Sequence, residues 1–159
     1  IEAPDLVKGR NIILNAPAAV VTPVRVGFWY HVLMPAIFQN TMGFDLKWYM
    51  DYVTSPNYDL ENEHLHSALK YQLAMMDVSY EYDLGILPYS FSDKELQQLS
   101  SAANVVLIMP ELETVTDPKV GVDRAKSNGI KTIVIEDCGH GMQLEKEVEM
   151  GNAIARILF

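Results

Sequence analysis

The feature that most constrains this chain is the regular alternation of its C-terminal third. Val105-Val106-Leu107-Ile108-Met109 is an unbroken apolar run of strand length, Pro118 to Ser127 reads as a helix, Lys131 to Glu136 as a strand and Leu144 to Leu158 as a helix. An apolar run with no polar alternation suits a strand buried on both faces, the situation inside a parallel sheet. Strand, helix, strand, helix at these lengths predicts an α/β fold in which helices cover parallel strands. In the last helix Leu144, Val148, Gly151, Ala155 and Leu158 form a small or apolar stripe, which is expected to face the sheet.

The upstream sequence extends this layout. Residues from Glu2 to Gly9 read as a short turn leading into a strand at Arg10 to Asn15, whose Ile12-Ile13-Leu14 suits a second buried parallel strand; Ala16-Pro17-Ala18 ends it. From Val26 to about Tyr82 the pattern turns helical and rich in aromatics and methionine, with Phe28, Trp29, Met34, Phe38, Trp48, Tyr49, Met50, Tyr52, Met75 and Met76. Pro35 and Pro56 divide it, and Leu65, Leu69, Gln72, Leu73 and Met76 keep the best helical spacing. After a loop through Gly85 and Pro88, Ser92-Asp93-Lys94-Glu95 has the N-cap and N3 acid of a capping box, opening a helix to about Leu99.

Charge and composition exclude several classes of function. A formal net charge of -9, with only 12 scattered Lys and Arg, opposes nucleic-acid binding, because phosphate neutralisation needs clustered cations. No apolar run approaches the roughly 18 residues of a membrane span, and the N-terminus lacks the basic and apolar regions of a signal peptide. The single cysteine, Cys138, forms no internal disulfide and suits a reducing compartment, which points to the cytoplasm. The chain opens at Ile1 rather than Met, as though in mid-element, and is expected to be a processed product or part of a longer protein.

Two strand-end loops carry the chemistry. In an open parallel sheet reactive groups gather beyond the carboxyl ends of the strands. The loop after Met109 reads Pro110-Glu111-Leu112-Glu113-Thr114-Val115-Thr116-Asp117, and the loop after Glu136 reads Asp137-Cys138-Gly139-His140-Gly141-Met142. One supplies carboxylates and the other an imidazole, the pair that activates a nucleophile: the histidine takes its proton while a buried carboxylate fixes the ring's tautomer. The glycines flanking His140 permit a tight turn.

These segments resemble the closing part of the α/β-hydrolase superfamily, where a strand-end acid is followed by a strand, a Gly-His turn and a final helix. Pro4 to Gly9 followed by Ile12 to Ala16 resembles the segment after the nucleophile helix, and Pro88 to Leu96 resembles the re-entry helix of bacterial capped esterases. The resemblance implies a C-terminal portion of an α/β-hydrolase core over residues 1–25 and 83–159, with a helical cap over 26–82. It also implies His140 as the catalytic histidine and Glu113, four residues past the strand, as its acid. Asp117 is the alternative acid, although as the residue before Pro118 it also reads as a helix N-cap; Glu111 ranks third. Pro110 departs from the glycine usual at its position, which removes a donor from the root of the acid loop and threatens the placement of Glu113.

The nucleophile is absent from this chain. No Gly-x-Ser-x-Gly elbow occurs, and Ser55, Ser67, Ser79, Ser90, Ser92, Ser100, Ser101 and Ser127 all lie outside a Gly-flanked strand-to-helix turn. The resemblance therefore implies a serine hydrolase of carboxylesterase type acting on a small ester, amide or thioester, whose nucleophile and oxyanion-hole donors precede Ile1 and whose 159 residues alone turn over nothing efficiently. A member with Asp as nucleophile would use the same histidine loop. No cofactor or metal is implied. The expected partners are the small-molecule substrate and an N-terminal half of the same protein, or another chain, pairing with the strand at 10–15. The alternative is a non-catalytic hydrolase-fold subunit or remnant that binds a partner through its sheet edge and cap.

Other features read as structural. His64 and His66, two apart on a helix, point in different directions and suit a solvated face rather than a metal site. His31 is expected to pack beside Trp29 and Tyr30, and Cys138 to be buried and inert.

Overall fold

A computed structural model describes residues 4–17, 19–34, 46–58 and 89–159. Its centre is a parallel sheet of three strands in the order β1-β2-β3, with β1 at Asn11–Asn15, β2 at Asn104–Pro110 and β3 at Lys131–Ile135. The register pairs Ile13 with Val106 and Asn15 with Ile108 on one side of β2, and Ile108 with Ile133 and Pro110 with Ile135 on the other. Among the described residues β1 is an edge strand.

The apolar run of β2 is buried on both faces, and its residues divide by parity. Val105, Leu107 and Met109 join Leu96, Leu99, Ala125 and Ile130 in one core layer, which Ile12 and Leu14 of β1 extend. Ile108 faces the other way, into a second layer with Ile135, Cys138, Met142, Met150 and Ala153. Leu107 and Ile108 have no exposed surface, and burying such a side chain contributes about 1.5–3 kcal/mol.

Helices cover both layers. A short α1 at Val26–Phe28 runs into a π-helical turn at Trp29–Leu33, and α2 follows at Leu46–Val53. α3 at Asp93–Ala102 opens on the capping box read from the sequence: the Ser92 hydroxyl accepts the Glu95 N–H, and the Glu95 carboxylate accepts the Ser92 N–H at 2.7 Å. α4 at Pro118–Ser127 is capped by Asp117, whose carboxylate accepts the Val120 N–H at 3.0 Å, with Pro118 in the first turn. Arg124 of α4 ties the first layer together, donating to the carbonyls of Val21 and Phe91 and to the Asp93 carboxylate.

The reading of the last helix needs correction. The single helix predicted from Leu144 to Leu158 is two, α5 at Met142–Glu145 and α6 at Glu147–Leu158, broken where Lys146 takes φ -137° and ψ 52°. The face of α6 on the sheet is Met150, Ala153, Ile154 and Ile157, while Val148, Gly151, Ala155 and Leu158 are exposed. The break lets the two helices set their faces independently, and the longer apolar side chains cover Ile13 and Ile133 better than the predicted stripe does. His31 also stacks on Tyr52, with ring centroids 5.2 Å apart.

The helical pattern at Leu65 to Met76, His64 and His66, and the re-entry loop through Gly85 and Pro88 lie outside the described residues. Among the described residues no helix is long and apolar enough to cross a membrane.

Candidate active site

The loops after β2 and β3 meet at the carboxyl end of the sheet. The Glu111 N–H donates to the Ile135 carbonyl at 2.9 Å, carrying the ladder one residue past β2, and the Leu112 N–H donates to the Cys138 carbonyl at 3.0 Å. This zipper brings His140 and Glu113 together. The His140 Nδ1 lies 2.8 Å from Glu113 Oε2 and 3.0 Å from Oε1. A carboxylate only accepts, so Nδ1 carries the proton and Nε2 is the nitrogen left for proton transfer.

Glu113 is held from two directions. Its side chain is 1% exposed against 27% for His140, and Oε1 also accepts the Val115 N–H at 2.6 Å. A buried carboxylate without donors is costly; here an imidazole N–H and a backbone N–H satisfy it. Tyr52 of α2 braces the same loop, its hydroxyl donating to the Thr114 carbonyl at 3.1 Å while the Thr114 hydroxyl donates to the Tyr52 carbonyl at 2.7 Å. Burial pushes the Tyr52 phenol above its ordinary value, with Arg25 opposing and Glu113 adding to the rise.

Asp117 is occupied elsewhere. Its carboxylate caps α4 and pairs with Arg25 at 3.2 Å, and the Val120 N–H, then Arg25, hold it below the ordinary aspartate range. Arg25 also reaches the Glu113 carbonyl at 3.4 Å. Glu111, the third acid, accepts the Asp137 N–H at 2.9 Å and so serves the histidine loop's backbone.

The histidine loop is fixed at nearly every residue. Asp137 sits at φ +51° and accepts from the Asn57 side-chain amide at 2.9 Å, with Lys146 3.7 Å away. Cys138 has no exposed surface; burial, then the Glu145 carboxylate, pushes its thiol up to about 12, which removes it as a nucleophile. Gly139 lies against the backbone of Val53 to Ser55 so closely that a β-carbon would fall 2.5 Å from the Val53 carbonyl oxygen. The Gly141 N–H donates to that same oxygen at 3.2 Å.

Glu145 completes the loop, accepting the Gly139 N–H on Oε1 at 3.0 Å and the Ser55 N–H on Oε2 at 2.8 Å. Glu145, Asn57 and the carbonyl of Val53 escaped the reading of the sequence: Asn57 and Val53 lie far from the histidine loop in the chain, and Glu145, though near it, belongs to no motif. Among the described residues no cluster of three or more His, Cys, Asp or Glu is arranged to hold a metal ion. Of the candidate serines, Ser92 caps α3, Ser90 donates to the Ala19 carbonyl, Ser100 to the Asn128 carbonyl at 2.7 Å and Ser101 to a carbonyl of its own helix; Ser67 and Ser79 lie outside the described residues.

No protein-family model matches the chain, and no curated protein matches it. Solved structures do. Naproxen esterase (carboxylesterase NP) from Bacillus subtilis aligns at TM-score 0.74 and 20% identity over 99% of this chain and 53% of its own. Carboxylesterase CesB from Bacillus subtilis aligns at 0.72 and 20% identity over 94% and 51%. The 2-hydroxy-6-oxo-6-phenylhexa-2,4-dienoate hydrolase from Rhodococcus sp. strain RHA1 aligns at 0.53 and 17% identity over 98% and 57%. The chain thus spans about half the length of the hydrolases it matches. Its fold is a portion of the α/β-hydrolase fold, the portion that lacks a Gly-x-Ser-x-Gly elbow.

Proposed function

We propose that this chain is the histidine- and acid-bearing part of a carboxylesterase-like serine hydrolase that cleaves a small ester, amide or thioester. The observation that carries the reading is the His140–Glu113 pair: an imidazole oriented through Nδ1 by a buried, backbone-braced carboxylate at the carboxyl end of a parallel sheet. In that arrangement Nε2 removes the nucleophile's proton during attack and returns it to the leaving group, while Glu113 fixes the tautomer and stabilises the imidazolium. The nucleophile and oxyanion-hole donors come from a segment outside these 159 residues, which lies along the open edge of β1. Residues 26–82 form a cap over this end of the sheet, a reading supported by the end of α2 resting on both functional loops through Tyr52 and Val53.

The test is ester hydrolysis by the full-length protein, followed with p-nitrophenyl butyrate. H140A is expected to lower kcat/KM by about 10²- to 10⁴-fold, the usual contribution of general acid–base catalysis. E113Q is expected to lower it as well, because an amide NH2 facing Nδ1 favours the wrong tautomer. The 159-residue chain alone should show no turnover. Full activity in H140A, or turnover by the isolated chain, sinks the proposal. The missing elbow also suits a non-catalytic subunit that binds a partner through the β1 edge; a full-length protein that resists a fluorophosphonate probe and hydrolyses no ester would favour that reading.

A further inference from the structure

We propose that Glu145 is a positioning residue for His140, one that makes the histidine's placement depend on the docking of the 53–55 segment. The inference deepens the hydrolase reading and rests on it for its kinetic part. Three facts carry it. The Glu145 carboxylate accepts the N–H of Gly139, the residue before the histidine, at 3.0 Å, and with its other oxygen the N–H of Ser55 at 2.8 Å. The Gly141 N–H, on the other side of the histidine, is held by the Val53 carbonyl at 3.2 Å. Gly139 itself is pressed on Val53, Thr54 and Ser55 with no room for a β-carbon.

His140 is therefore suspended between two amides whose acceptors are either the 53–55 segment or a carboxylate shared with it. Only a carboxylate can take both the Gly139 and Ser55 N–H groups on separate oxygens. A glutamine offers one acceptor oxygen and turns an NH2 toward the other N–H. Glu145 lies on α5, directly after the loop it braces, and touches neither ring nitrogen of His140 in any bond the structure shows. Its effect on chemistry runs through the ring's position. The 53–55 segment closes the C-terminal end of α2, so any shift of residues 46–58 against the sheet pulls on the same carboxylate that seats the histidine.

The experiment follows the downfield proton resonance of the His140 Nδ1–H in the full-length protein by NMR, assigned by its loss in E113Q. In E145Q the resonance is expected to move or to exchange with water at least about tenfold faster, and kcat for p-nitrophenyl butyrate to fall about tenfold with KM within twofold, the pattern of a misplaced group. E145D keeps the charge but, one methylene shorter, reaches only one of the two amides; it is expected to fall between E145Q and wild type. It answers alone if E145Q does not hold its fold. A purely structural role would lower the unfolding temperature while leaving the folded protein's resonance and kcat unchanged, and that result overturns the proposal. If the resonance moves as expected but the wild-type protein hydrolyses no ester, the hydrolase reading fails and the hold of Glu145 on His140 stands.

Discussion

Replacing Gly139 by alanine and Gly151 by alanine makes one chemical change with opposite expected signs. At Gly139 the new β-carbon would fall 2.5 Å from the Val53 carbonyl oxygen, 2.7 Å from the Thr54 carbonyl carbon and 2.9 Å from the Ser55 nitrogen, all of them backbone. Ordinary contact begins at 3.4 Å, so the 53–55 segment must retreat by the difference between 3.4 and 2.5 Å, about 0.9 Å. That movement stretches the Gly141-to-Val53 bond from 3.2 Å and the Ser55-to-Glu145 bond from 2.8 Å beyond useful length. One neutral hydrogen bond at about 1 kcal/mol and one to a carboxylate at about 2 give a loss of about 3 kcal/mol, at the top of the usual range for overpacking. Gly139 does not occupy positive φ, so the cost is one of space alone.

At Gly151, inside α6 with nothing within 4 Å, alanine meets no obstacle and is expected to stabilise by about 1 kcal/mol through helix propensity. Urea unfolding of the full-length protein checks both. With a slope of about 2 kcal/mol per M, the G139A midpoint drops by about 1.5 M and that of G151A rises by about 0.5 M. A G139A variant within about 0.5 kcal/mol of wild type would refute the close docking of residues 53–55 on the histidine loop.

One further substitution and one labelling experiment have defined outcomes. R124K replaces a fork that reaches the Val21 and Phe91 carbonyls and Asp93 with a single ammonium, and is expected to cost about 2 kcal/mol in urea melts at pH 7. The Arg124 hydrogen bond, more than any other contact, depresses the Asp93 carboxyl below its ordinary value, so this pair stabilises the fold above the unfolded pKa and is lost as pH falls through the folded one. The gap between wild type and R124K should narrow in melts below about pH 4, and a gap that widens in acid contradicts the assignment. Cys138, buried and with its thiol pushed up to about 12, should react with Ellman's reagent at pH 8 at least about 10³-fold more slowly in the native protein than in denaturant. Rapid native labelling would show that the loop opens.

What the sequence disclosed is what local chemistry encodes. The apolar run at Val105 to Met109 had to be a doubly buried strand, and it is; Ser92 with Glu95, and Asp117 with Pro118, announced helix starts that the structure places at those residues. The two loaded loops were legible because parallel strands put their carboxyl ends side by side, and the structure brings His140 and Glu113 within hydrogen-bond distance. The face of α6 was misread because two stripes keep helical spacing between Glu147 and Leu158; Met150, Ala153, Ile154 and Ile157 offer more apolar surface than Val148, Gly151, Ala155 and Leu158, and they are the ones packed on the sheet. The bracing by Glu145, Asn57 and the Val53 carbonyl was beyond sequence reasoning. Most of these bonds join groups far apart in the chain, and the short one between Glu145 and Gly139 follows no motif, so none leaves a periodicity.

Pro110 shows how a departure that looks damaging is absorbed by register. Along a parallel strand the backbone N–H groups of successive residues point alternately to the two neighbours. Glu111 donates to Ile135 on the β3 side, so the N–H that Pro110 lacks would have pointed toward β1. But β1 ends at Asn15, opposite Ile108, and Ala16 has already turned to positive φ while donating back to the Ile108 carbonyl. The missing donor therefore faces a position beyond the end of its neighbour, where no ladder bond existed to lose, the kind of site at which sheets tolerate proline. The rigid φ of Pro110 then launches the acid loop from a buried strand end, and the Glu111 and Leu112 N–H groups fasten it to the β3 side within two residues. Glu113 is the first residue past that fastening with a carboxylate long enough to turn inward, which is why it is the carboxylate that meets His140, while Asp117, four residues on, is committed to starting the next helix.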